Sequence, residues 1–161
     1  MKKLIIFSFS ALLLFSCSEQ QTKEEIIDNQ IEENEILLEE EKPSAKEISE
    51  KQQNISLNNG ERWEVNEEMK PYVNEAESIL KNYQNTEDNN YQQLAIDLKE
   101  QNDALIKSCT MDGTAHDELH NWLHPHLQLV EGLKNAKNIE ESQEWLEQLN
   151  LSMEKYHKYF K

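Results

Sequence analysis

Glycine, proline and cysteine are scarce in this chain, and their scarcity excludes several classes of fold. The 161 residues include three glycines, three prolines and two cysteines. Turn-forming residues are few and no run of alternating polar and apolar side chains is present, so a strand-rich fold is excluded and an all-α fold is expected. Two cysteines are too few for a disulfide framework, so the fold must depend on its hydrophobic core.

Positive charge is also in short supply. Sixteen lysines and arginines stand against 32 aspartates and glutamates, which gives a formal net charge of −16. A surface of this kind repels nucleic acid and anionic lipid headgroups, and it favours cations or basic partners. The composition therefore argues against nucleic-acid binding.

The N-terminus has the pattern of a bacterial lipoprotein signal. Two lysines precede an apolar run over residues 4–15, which is too short to span a bilayer. The sequence LFSC (residues 14–17) resembles a lipobox, with leucine three positions before Cys17 and serine directly before it. We predict a signal peptide over residues 1–16 and a lipid on Cys17, which anchors the protein in the bacterial cell envelope, at the outer membrane. The alternative is an ordinary leader followed by a buried core cysteine.

Cleavage before Cys17 changes the charge and the thiol content of the mature chain. The removed residues include two lysines, so the formal charge moves from −16 to −18. Lipidation of Cys17 leaves Cys109 as the one remaining thiol. Residues 17–60 then form the lipidated cysteine and an acidic linker, which we expect to be flexible because charge is in excess and hydrophobicity is low.

Residues 61–161 have the patterns of four amphipathic helices joined by short connections. The first is expected to follow an Asn66 cap, and the fourth an Asn138 cap. The turn at residues 112–114 separates the second helix from the third, in which Pro125 should produce a bend. Because short connections make consecutive helices antiparallel neighbours, we predict an up-down-up-down four-helix bundle.

One short stretch concentrates side chains that bind metals. Residues 109–126 (CTMDGTAHDELHNWLHPH) contain four of the five histidines and one of the two cysteines. In the predicted bundle this stretch shares one pole with the start of the first helix and the end of the fourth. The candidate ligand residues that this topology places near that pole are Cys109, Met111, His116, His120, His157, Met69 and Met153.

These residue types predict a transition-metal site. Thiolate and thioether sulfur suit Cu(I), and imidazole suits copper, zinc, nickel or iron. His116 and His120 are four positions apart and so lie on one helix face. We therefore expect a copper or zinc ion. Its expected ligands are Cys109, His116 and His120, with His157, Met111, Met69 and Met153 as candidates for further ligands.

Other uses of the cluster stay open. The histidines and Cys109 can serve packing alone, and a haem b can take axial ligands from a histidine and Met153 or from two histidines. We expect no enzymatic activity. Cys109 lies at the C-terminus of a helix, where the helix dipole disfavours the thiolate that a catalytic cysteine would need. The competing function is a structural or protein-interaction module of the envelope with no cofactor and an unknown protein partner.

Three segments together resemble a known family. They are LNNGERWEVNEEM (residues 57–69), SCTMDGTAHDELHNWLHP (residues 108–125) and YHKYF (residues 156–160). They look like a family of small, uncharacterised helical envelope lipoproteins of Bacteroidota. The resemblance implies a single α-helical domain and an envelope location, and it carries no catalytic assignment.

Overall fold

The computed structural model of the chain describes residues 42–86 and 89–161. The predicted signal peptide, Cys17 and the greater part of the predicted linker lie outside the described residues. Within the described residues the helices are α1 (Ala45–Glu50), α2 (Lys70–Gln84), α3 (Tyr91–Ser108), α4 (Gly113–Lys134) and α5 (Ile139–Tyr159). No β-strand is present in these two ranges, and the prediction of an all-α fold is confirmed.

The helices from α2 onward each pack against the next helix along the chain. α2 contacts α3, α3 contacts α4, and α4 contacts α5, while α1 lies against both α4 and α5. All five helices contribute side chains to one hydrophobic cluster. Among the described helices, none is long and apolar enough to cross a bilayer.

α1 lies inside the stretch that the sequence predicts to be a linker. Ser44 and Glu47 form a capping box, in which the Ser44 hydroxyl accepts a bond from the Glu47 amide. Ala45 and Ile48 are buried against the rest of the domain. The described part of the predicted linker therefore contributes to the core, and the folded unit begins well before residue 61.

The segment between α1 and α2 is held by backbone hydrogen bonds. Asn59 and Gly60 have φ values of 52° and 93°, the positive values that a two-residue type I′ hairpin turn requires. Trp63 then pairs with the C-terminal segment: its amide donates to the Tyr159 carbonyl over 2.8 Å, and its carbonyl accepts from the Lys161 amide over 2.9 Å. These bonds fix the approach of the chain to α2.

α2 begins later than the sequence predicts. Its first residue is Lys70, Met69 is the cap position, and no side chain caps the helix, so the prediction of an Asn66 cap is wrong. Pro71 is the second helical residue, where the missing N–H would have had no partner in the helix. The predicted cap of the last helix is confirmed, since the Asn138 side chain accepts a bond from the Glu141 amide over 2.9 Å.

Candidate metal-binding pocket

A pocket of about 360 Å³ lies beside the connection between α3 and α4. Its floor is apolar, with Met69, Leu119 and Leu123 all buried. The exposed Ile106 lies at its edge. The residues that line it are Met69, Ile106, Cys109, Met111, His116, Leu119, His120, Leu123, His124 and Leu127.

The candidate ligands predicted from the sequence do not all line this pocket. Cys109, Met111, His116 and His120 are all half-buried in its wall. His157 lies elsewhere: its Nε2 atom is 3.3 Å from Oε1 of Glu77, and its side chain is 45% exposed. The His157 ring also lies edge to face with the Tyr156 ring, with the ring centroids 5.5 Å apart. The expectation that His157 joins the other four is therefore not met.

Only one of the two further methionine candidates lines the pocket. Met69 lines the pocket, whereas Met153 is buried in the core and is not among the lining residues. A haem held between a pocket histidine and Met153 would therefore need a different arrangement of α5. The other axial pair considered for haem b, two histidines, is not preformed either, because axial ligands lie on opposite sides of the iron. The pocket histidines instead follow one another on one helix face, with ring centroids 4.3 and 4.6 Å apart.

The position of Cys109 follows from how α3 ends. Cys109 is the residue that caps α3, with extended backbone (φ −70°, ψ 121°), and Gly113 opens α4 with a φ of +63° that suits glycine. The Asn66 side chain fixes this connection from outside: its Nδ2 donates to the Ser108 carbonyl over 3.2 Å, and its Oδ1 accepts from the Thr110 amide over 3.4 Å. Asn66 thus binds the peptide groups on both sides of Cys109.

Three histidines form a row on the pocket face of α4. His116, His120 and His124 are spaced by four residues, which places them one above another on the helix. The ring centroids of His116 and His120 are 4.3 Å apart, and those of His120 and His124 are 4.6 Å apart, both edge to face. We call these three residues the imidazole row. His124 is not among the ligands predicted from the sequence, although its spacing of four from His120 is the signal that could have found it.

The surroundings of the central histidine of the row favour its neutral form. Burial lowers the pKa of His120, and repulsion from His116 and His124 lowers it further, against a smaller attraction from Asp117. A neutral imidazole has a free nitrogen lone pair, which is what a metal ion needs. At neutral pH His120 is therefore ready to act as a ligand.

The remaining histidine of the cluster belongs to the core. His126 is fully buried, stacks on the Trp122 ring at 4.8 Å, and has its Nδ1 atom 3.0 Å from the Ser152 hydroxyl. The buried Gln52 amide donates to the same hydroxyl and to the Trp122 carbonyl, each over 2.8 Å. This polar group joins the turn after α1 to α4 and α5, on a different face of α4 from the pocket.

The pocket contains sulfur and imidazole donors, and its thiol and imidazoles are not preformed as a metal site. Within residues 42–86 and 89–161, no group of three or more His, Cys, Asp or Glu side chains is arranged to hold a metal ion. Cys109, His116 and His120, the three ligands expected from the sequence, therefore do not form a preformed set for copper or for zinc. The pocket instead combines one thiol and two thioethers with imidazoles, which suits Cu(I).

Comparisons of the chain with protein-family models, with curated proteins and with solved structures find no match. Function must therefore be inferred from the residues of the pocket.

Proposed function

We propose that this protein is a lipid-anchored, non-enzymatic envelope protein whose helical domain binds Cu(I). The observation that carries the proposal is the shared pocket: Cys109, Met111, Met69 and His116 line one cavity together with His120. Sulfur and imidazole donors around a partly enclosed apolar space are the chemistry that retains a soft cation. The net charge of −16 adds a field that attracts cations to the surface.

The proposed architecture is an up-down-up-down bundle of α2 to α5, with α1 added against α4 and α5. Support comes from the packing of each of these helices on the next and from short connections such as the one before Gly113. Facing helices of a bundle commonly supply metal ligands from their inner sides. The pocket differs from such bundle sites, because most of its proposed ligands come from one helix, α4, and from the turn before it.

The proposed location in the cell envelope depends on the lipobox-like sequence at residues 14–17 and on the resemblance to Bacteroidota envelope lipoproteins. We expect a Cys17→Ser variant, expressed in a bacterium that processes lipoproteins, to lose incorporated fatty acid and to leave the membrane fraction. Cys109→Ser is the matched control, because it removes the other thiol and should stay membrane-bound. A Cys17→Ser protein that keeps its lipid would contradict the anchor.

Cu(I) binding is tested by anaerobic titration of the full-length chain in detergent against a chromophoric Cu(I) chelator. We expect one equivalent of Cu(I) to bind. Cys109→Ser should weaken the affinity by at least about tenfold, since even residues that only support a metal ligand change affinity by 10–100-fold. Met111→Leu keeps the apolar volume and removes the thioether, so it should also weaken binding.

His157→Asn is the matched control for the titration. His157 is the candidate ligand that the structure places beside Glu77 rather than in the pocket, so its loss should leave the affinity unchanged. Equal weakening by Cys109→Ser and His157→Asn would contradict the pocket as the site. If wild-type protein fails to compete for Cu(I) at low micromolar concentration, the function is that of a cofactor-free structural or interaction module.

A further inference from the structure

We propose that His120 and His124 form a second, outer site in the same pocket, which takes a borderline divalent ion such as Cu(II). This proposal extends the proposed function from the reduced to the oxidised ion; the outer site shares His120 with the Cu(I) site and uses none of its sulfur atoms. The ligands are the central and last members of the imidazole row on α4.

The spacing of neighbouring rings in the imidazole row is close to what one ion requires, for His116 with His120 as for His120 with His124, and the exposure of His124 to solvent favours the second pair. A metal ion bound to imidazole lies about 2.0–2.1 Å from the nitrogen and so roughly 3.2 Å from the ring centre. When the two metal–nitrogen bonds make a right angle, the two ring centres are therefore about 4.5 Å apart. The centroids of His120 and His124 are 4.6 Å apart. The rings meet edge to face at 75°, and rotation about the broad χ2 torsion of histidine turns a nitrogen of each toward a common point. The backbone does not need to move.

The outer position is open to solvent, in contrast to the sulfur side of the pocket. His124 is exposed and His120 is half-buried, whereas Met69 is 1% exposed. Asp117 lies close enough to act on the His120 imidazole by charge. An ion arriving from solvent therefore reaches the imidazole pair first, with water filling its remaining coordination positions.

Two imidazoles and water define the class of ion. Imidazole suits Cu(II), Ni(II) and Zn(II), and among divalent ions of the first transition row Cu(II) binds such sites most strongly. A site with two protein ligands leaves the other positions to water or a further donor. The outer site is therefore expected to exchange its ion, while the sulfur set retains one.

The test uses the mature, lipid-modified Cys109→Ser protein in detergent, because this background removes the one remaining thiol, which would reduce Cu(II), and disables the proposed Cu(I) site. We expect one equivalent of Cu(II) to bind, with a paramagnetic resonance spectrum that shows coupling to two nitrogens. A further His124→Asn substitution should weaken Cu(II) binding by at least about tenfold and remove one of the two nitrogen couplings.

Two single substitutions in the same background separate this site from other histidines. His157→Asn should leave Cu(II) binding unchanged, because His157 lies beside Glu77. His116→Asn should also leave it unchanged, because His116 is not one of the two ligands. The proposal is overturned if His124→Asn has no effect on Cu(II), or if His116→Asn weakens binding as much. Neither result depends on whether wild-type protein binds Cu(I).

Discussion

Replacing Ile48 by alanine will lower the free energy of unfolding by about 2–5 kcal/mol, the usual cost of an isoleucine-to-alanine change in a core. Ile48 lies in α1 and is 4% exposed, in contact with the hydrophobic cluster that α4 and α5 complete. A flexible linker, which the sequence predicts for this stretch, would show almost no cost. Urea unfolding at constant m-value measures the change.

Lys46→Ala is the control for this prediction. Lys46 is exposed in the same helix, and alanine is the best helix former, so substitution at either position improves local propensity. A loss of stability confined to Ile48→Ala therefore reports packing between α1 and the rest of the domain. Equal midpoints for the two variants would show that α1 contributes nothing to the core.

Lowering the pH from 6.5 to 4 will destabilise the metal-free domain by roughly 3 kcal/mol through His126 alone. Burial lowers the pKa of His126 from 6.5 to about 4, and each tenfold difference in proton affinity between the folded and unfolded states is worth about 1.4 kcal/mol. The unfolded chain takes up the proton first as the pH falls. The stability is therefore fully present above pH 6.5 and is lost as the pH falls toward 4.

The hydrogen bonds and ring contacts of His126 within the described residues include no acidic group, so burial raises the free energy of its charged form. The groups in contact with it are the Trp122 ring and the Ser152 hydroxyl, to which Gln52 also binds. Its Nε2 atom is buried and has no hydrogen-bond partner among the described residues. A protonated imidazole would have to place a charged N–H at that atom, which accounts for the direction of the shift.

A His126→Gln variant tests this pH dependence in the presence of a chelator. Glutamine is uncharged at every pH in the window and is close to histidine in size, so the variant should lose stability less steeply than wild type between pH 6.5 and 4.5. His120, whose pKa is also lowered, contributes with the same sign in both proteins. Parallel stability curves for the two proteins would rule His126 out as the source.

The four long helices could be predicted from sequence because each carries its own local signals. Apolar side chains recur at helical spacing, and Asn138 supplies a cap that the structure confirms. α1 could not be predicted in this way, since six residues carry too little periodicity. Its stability comes from Ile48 and Gln52 contacts with α4 and α5, which are remote in the sequence.

The pocket was partly predictable for the same reason. Cys109, His116 and His120 are joined by a short connection, so their proximity follows from one turn of chain. His157 required the correct rotation of α5 about its own axis, which no local pattern specifies. Asn66 was misplaced because a cap-forming side chain is equally suited to bind the peptide groups beside Cys109.

Pro125 weakens the part of α4 that carries the imidazole row. A proline nitrogen carries no hydrogen, so the Asn121 carbonyl one turn earlier cannot receive its helical bond, yet α4 runs unbroken past this point. His120 directly precedes that turn and His124 lies within it, and both line the pocket. An ion bound by both rings would link two successive turns of α4 where a backbone hydrogen bond is missing. The stiffness of α4 would then depend on whether His120 and His124 hold an ion.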